Sequence, residues 1–185
     1  MENSAEKKIL LRVQELSESI LENQSLLSPA QVLPLTSEDL PFHQFIAMTM
    51  LVSREVRLFF RTHTSLENIA GLAQKKYRID KEKFSESQGV DFIKEFCNIV
   101  SGRIVESMKV VDVDLGIGLP FATQGFNQIF FDDAVEGKHI SCWRLQVGDY
   151  WVSCSLRMEI LDKKLQGKIE NADLENIGPD SMELF

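Results

Sequence analysis

Between Val90 and Lys109 the apolar residues recur at helical spacing. At about 100° per residue, Phe92, Ile93, Phe96, Cys97, Val100 and Ile104 crowd one broad face of the helix. Asp91, Glu95, Asn98, Gly102, Glu106 and Lys109 gather on the opposite face. A helix so clearly divided must lay its apolar face on another layer, and the segments around it read as the strands of that layer. Ser85 or Ser87 can cap its start.

Residues 45–52 and 56–62 are rich in β-branched, aromatic and other apolar side chains and predict two strands joined by a turn at Ser53 to Glu55. Thr64 to Glu67 fits a capping box, with a short helix following to about Tyr77. Arg78 to Gly89 is charged and predicts a loop. Phe126 to Phe131 predicts a strand. Ile140 to Val147 and Tyr150 to Ile160 flank Gly148-Asp149, a two-residue hairpin turn. Pairing Val147 with Tyr150 sets Leu145 against Val152 and Trp143 against Cys154 on one sheet face. Arg144–Ser153 and Gln146–Trp151 fall on the other, more polar face.

Before this body, residues 5–27 read as an amphipathic helix through Ile9, Leu10, Val13, Leu16, Ile20 and Leu27. Its apolar stripe is available for packing on the domain itself or for pairing with a partner. Pro29, Pro34 and Pro41 then break the helical pattern. Beyond Asp162 the chain turns polar and predicts a loose tail with room for a short helix. The organisation is an N-terminal helical arm (1–28), a proline-containing linker (29–41), a main domain (42–161) and a polar tail (162–185). The fold class is α+β: an antiparallel sheet with helices on one face.

Charge and composition exclude several functions. The formal net charge is −8, which repels phosphate backbones and anionic lipid, so neither nucleic acid nor a membrane surface is an expected partner. No apolar run approaches the roughly 20 residues of a membrane span, and the polar start from Met1 to Lys8 does not resemble a signal segment. A cytoplasmic protein is expected. Cys97, Cys142 and Cys154 form no CxxC, and His43, His63 and His139 are widely spaced, so neither a disulfide framework nor a metal site is expected. Ser/His/Asp, P-loop and complete GxGxxG patterns are absent.

The polar strip of the long helix carries the chemistry. Glu95 and Asn98, three apart, are surface neighbours, with Asp91 one turn before and Gly102 one turn after. Asn and Gly are both poor helix residues, and Gly costs about 1 kcal/mol relative to Ala. A carboxylate and an amide placed together can grip a cation and orient a water. Gly102 removes bulk where a partner would approach. By spacing alone, solvated residues without chemistry would look the same.

The pattern Asp91-x3-Glu95-x2-Asn98 with the later Pro120 resembles the signature of the CheC, CheX and FliY phosphatase family. Gly102, Gly125 and the order of strands and helices also resemble it, over roughly residues 42–161. Only one Glu-x2-Asn is present, which is more like single-site CheX than two-site CheC, and Pro120 falls about one residue short of the usual spacing. The resemblance implies dephosphorylation of an aspartyl-phosphorylated, CheY-like receiver domain. Glu95 would pair with a receiver lysine and Asn98 would orient the attacking water, with Asp91, Gly102 and Pro120 in support. No cofactor of its own is implied, since Mg²⁺ sits on the receiver. A homodimer is also implied. The alternative is a non-catalytic module or scaffold that binds a phosphorylated receiver or a flagellar-switch partner.

Overall fold

The structure, a computed structural model, describes residues 4–36, 45–124 and 140–174. In chain order its elements are α1 (Ser4–Ser25), β1 (Gln31–Leu35), β2 (Phe45–Val52), β3 (Val56–Thr64), α2 (Leu66–Tyr77), α3 (Glu86–Lys109), β4 (Gly116–Ile117), β5 (Phe121–Gln124), β6 (Ile140–Val147), β7 (Tyr150–Ile160) and α4 (Lys163–Asn171). A short 3₁₀ turn at Lys81–Lys83 leads into α3. The fold class is the expected one, an α+β arrangement in which helices pack on an antiparallel sheet.

The strands form one seven-stranded sheet in the order β1-β6-β7-β3-β2-β4, with β5 also paired to β2. The β6–β7 hairpin has the register that its Gly-Asp turn predicts: Val147 opposes Tyr150, Leu145 opposes Val152 and Trp143 opposes Cys154. Gly148 takes a positive φ of 60° there, a conformation glycine adopts without a Cβ penalty. The β2–β3 hairpin turns at Ser53, whose Oγ accepts from the backbone N–H groups of Glu55 and Val56.

One sheet face carries the core. Ala47 and Leu51 of β2, Leu58 and Phe60 of β3, Trp143 and Leu145 of β6, and Val152, Cys154 and Leu156 of β7 are all buried. From α3, Phe92, Ile93, Phe96, Cys97, Val100 and Ile104 descend onto them, as the spacing requires. Phe60 sits at the centre, with its ring 6.2 Å from Phe96 and 6.2 Å from Trp143 between centroids. Such tilted contacts suit aromatic quadrupoles.

The N-terminal helix is part of this core. Ala5, Ile9, Val13, Ser17, Leu21, Gln24 and Ser25 are buried, and α1 packs against α2, α3, α4 and β6. The Trp143 indole Nε1–H donates to Ser17 Oγ at 3.2 Å, and that hydroxyl donates to the Gln14 carbonyl at 2.8 Å. Gln24 Nε2 donates to the Phe92 carbonyl at 3.1 Å, which ties the end of α1 to α3. The stripe that the sequence left available for pairing is therefore spent inside the molecule.

Other boundaries differ from expectation for local reasons. Part of the stretch read as a linker is β1, paired along its length with β6; an edge strand tolerates Pro34. The cap of α2 is Ser65 rather than Thr64, its side chain accepting from the Asn68 N–H, while Thr64 stays in β3. Gln88 completes a capping box with Ser85, so α3 starts at Glu86 and absorbs the end of the expected loop. The polar tail begins with α4, which buries Leu165 and Ile169 and is pinned where Lys8 Nζ donates to the Glu170 and Ala172 carbonyls at 2.6 and 3.0 Å. The strand expected over 126–131 and Gly125 lie outside the described residues.

All three cysteines are buried and free. Burial pushes the Cys97 thiol up to about 12, against a smaller opposing effect of its contact with Thr62, and burial also raises Cys154. These thiols should resist alkylation in the folded protein and react once it is unfolded in urea, which a timed thiol assay reads directly. The pH dependence has a fixed sign. The folded pKa of Cys97 lies above the ordinary 9.0, so its contribution is complete below about pH 9 and is lost as pH climbs toward 12.

Candidate functional site

The site is built on α3 because the apolar half of that helix is anchored so heavily. With Phe92, Phe96 and Val100 fully buried, the opposite strip is held outward. Asp91, Glu95 and Asn98 are exposed, and Gly102 is partly covered. The structure thus brings four of the sequence-derived residues onto one accessible strip. The Asn98 amide has no hydrogen-bond partner among the described residues. An unengaged amide offers one acceptor and two donor hydrogens to a water.

Glu95 is already engaged. Lys76, in the last turn of α2, places Nζ 2.5 Å from Glu95 Oε2, with side-chain exposures of 27% for the lysine and 46% for the glutamate. The same ammonium lies 5.8 Å from the ring centroids of both Tyr77 and Phe92. Tyr77 completes this corner. Its phenol is raised above the ordinary range by burial first, then by the negative charges of Glu95 and Asp91. Neither Lys76 nor Tyr77 was singled out by sequence. The pairing of residues 19 apart depends on how α2 packs against α3, and no periodicity reports that.

Gly102 can be judged directly. A Cβ built there meets nothing within 4 Å, so among the described residues no strand or helix requires a glycine. Gly71 is the contrast: a Cβ there would drive into the Tyr150 ring. The expected result for Gly102→Ala is therefore a free protein more stable by about 1 kcal/mol, from helix propensity alone. Chemical denaturation of the two proteins checks it.

Pro120 lies in the short connection between β4 and β5, partly buried. The Gly118 N–H before it donates to the Met50 carbonyl at 2.8 Å, closing this loop onto β2. Both β4 and β5 contact α3. Leu119 stands 93% exposed beside the proline, and Ile99 and Phe121 are also exposed. Further along α3, Arg103 and Glu106 pair at 2.7 Å. Among the described residues, no group of three or more His, Cys, Asp or Glu side chains is placed to hold a metal ion. No described helix is long and apolar enough to cross a membrane.

The sequence matches no protein-family model and no curated relative. Solved structures do match. The CheC-like superfamily protein from Shewanella sp. PV-4 superposes with a TM-score of 0.64 over 82% of this chain and 97% of that one, at 10% identity. The chemotaxis protein CheX from Vibrio vulnificus gives 0.63 over 82% and 96%, also at 10% identity. CheX in the CheX–CheY–BeF₃–Mg²⁺ complex from Borrelia burgdorferi gives 0.62 over 81% and 97%, at 13% identity.

The fold is that of the CheC and CheX proteins. Nearly the whole of each of these chains is covered, 96–97% of its length. Within this CheX-like frame, α3 alone among the four described helices carries Glu-x2-Asn.

Proposed function

We propose that this protein is a CheX-type phosphatase that removes phosphate from the aspartyl phosphate of a CheY-like receiver domain. The observation that carries the proposal is the exposed Glu95–Asn98 strip ending at a glycine for which the described residues show no structural use. A helix interior that forgoes about 1 kcal/mol without internal return is explained by something outside that packs there.

The chemistry asked of the strip is modest. Water attacks the phosphorus of the acyl phosphate, the bond to the aspartyl oxygen breaks, and the carboxylate leaves with its electron pair. The water's two protons end on the released dihydrogen phosphate. The receiver's own Mg²⁺ supplies electrostatic stabilisation of the phosphoryl oxygens. Asn98 acts by orientation, since an amide cannot serve as a base near neutral pH. Its carbonyl oxygen accepts from the water and turns a lone pair toward phosphorus. Glu95 supplies the anionic contact for a receiver ammonium and fixes the register of docking. Asp91 adds to the negative field that draws that ammonium, and Gly102 admits the receiver's surface.

The test is to phosphorylate receiver domains and follow loss of phosphate with and without this protein. Accelerated decay at substoichiometric protein supports the phosphatase. Decay equal to buffer for every receiver, together with measurable binding, favours a non-catalytic module for a phosphorylated receiver or switch partner. Gly102→Ala adds a second reading: it should raise KM several-fold while the free protein becomes more stable, a combination that damage to the fold cannot produce.

A further inference from the structure

We propose that Lys76 is an intramolecular competitor for Glu95, a positioning residue that any docking cation must displace or share. The inference rests on the reading of Glu95 as the docking carboxylate. Three observations on this chain carry it. The ammonium of Lys76 already contacts Glu95 Oε2 at 2.5 Å. It is held over the rings of Tyr77 and Phe92, each 5.8 Å away. And it comes from a separate helix, so its position is fixed by the α2–α3 packing rather than by a flexible neighbour on the same turn.

The physical consequence follows from charge. A carboxylate has lone pairs for more than one donor, so an incoming ammonium can reach Glu95 without full eviction of Lys76. It then meets a like charge a few ångströms away and binds an anion whose field is already partly neutralised. Lys76 therefore weakens docking and raises its selectivity. Only a partner whose remaining contacts orient its cation well is accommodated. Asp91, one turn earlier on the strip, faces the same approach with its negative charge, so the strip still attracts cations at a distance.

The experiment compares wild type, Lys76→Met and Lys76→Arg, each alone and combined with Glu95→Gln. Met keeps an unbranched stem against the two rings and removes the charge. The readouts are Kd for a beryllofluoride-activated receiver and the KM and kcat of stimulated phosphate loss, at low and high salt. The expected result is a roughly three- to fivefold lower Kd and KM for Lys76→Met, the range open to a partly exposed ion pair. The gain should shrink as salt rises, kcat should stay unchanged, and Lys76→Arg should match wild type. The gain should vanish in the Glu95→Gln background, where no anion remains to compete for. An active wild type whose Kd and KM are unchanged or worsened by Lys76→Met overturns the inference and leaves the phosphatase reading standing. A gain that persists with Glu95→Gln also overturns it, since Lys76 would then act through packing. If wild type is inert but Lys76→Met binds and acts, both readings are supported and Lys76 is a block. If neither variant binds or acts on any receiver, the phosphatase reading fails and the inference falls with it.

Discussion

Asn98→Ala is expected to reduce stimulated dephosphorylation to the rate in buffer, while its unfolding curve overlays that of wild type or shifts slightly upward. The side chain is exposed and makes no hydrogen bond among the described residues, so its removal forfeits no internal contact. Surface changes of this kind stay within about 0.5 kcal/mol, and alanine is the better helix former. On the proposed mechanism, what is lost is the group that turns a water toward phosphorus. Orientation of this sort contributes several kcal/mol to a barrier, enough that a small residual rate would vanish under the receiver's own hydrolysis. The check is the decay of a phosphorylated receiver with equal concentrations of the two proteins. Equal acceleration by both would remove Asn98 from the mechanism. Receiver affinity adds a control, because Asn98→Ala should retain most of it whereas Glu95→Ala should not.

The second large effect is on stability. Trp143→Ala should cost about 3–5 kcal/mol, roughly a fifth or more of what a domain of this kind has to lose. The indole is fully buried, contacts Phe60, and satisfies its N–H on Ser17 of α1. One substitution therefore empties the centre of the core and unties the N-terminal helix from the sheet. Urea denaturation measures it. Ser17→Ala should cost less, about 1–3 kcal/mol, since it keeps the packing and leaves only the indole N–H unsatisfied. A loss below 1 kcal/mol for Trp143→Ala would mean that α1 is held by other contacts. Together with Asn98→Ala, these variants separate what the residues do for the fold from what they do for a partner.

Much of the fold is legible in the sequence because its patterns are locally redundant. The Gly148-Asp149 turn fixes the β6–β7 register through two independent cues, turn chemistry and period-two alternation. The two-sided pattern of α3 identifies both its buried and its exposed faces. The misreadings share a cause: they concern residues whose state is decided by distant partners. β1 contains a proline and offers little alternation, so only its pairing with β6 makes it a strand. The short helix for which the polar tail left room is α4, but its place could not be read, since its order depends on burying Leu165 and Ile169 against the body and on Lys8. Ser65 and Thr64 are both competent caps by type, and the choice between them is made by how far β3 extends. At the site, Asp91, Glu95, Asn98 and Gly102 are readable because they share one helix. Lys76 is invisible because its contact with Glu95 exists only once two helices are packed.

The strand order also sets a timetable for synthesis. β7 lies between β6 and β3, so the hairpin made late in the chain fills the middle of the sheet and joins β1 to the β2–β3 pair. A ribosome adds roughly 5–20 residues per second, so for several seconds α1, β2, β3 and α3 exist without their central layer. During that interval Phe60, Phe92 and Phe96 have no Trp143 to meet. A nascent chain halted before β6 cannot form the continuous sheet and presents the β3 edge with its aromatic neighbours uncovered. Chaperone demand should peak there, and the polar strip of α3 can take its final orientation only after β6 and β7 have been made.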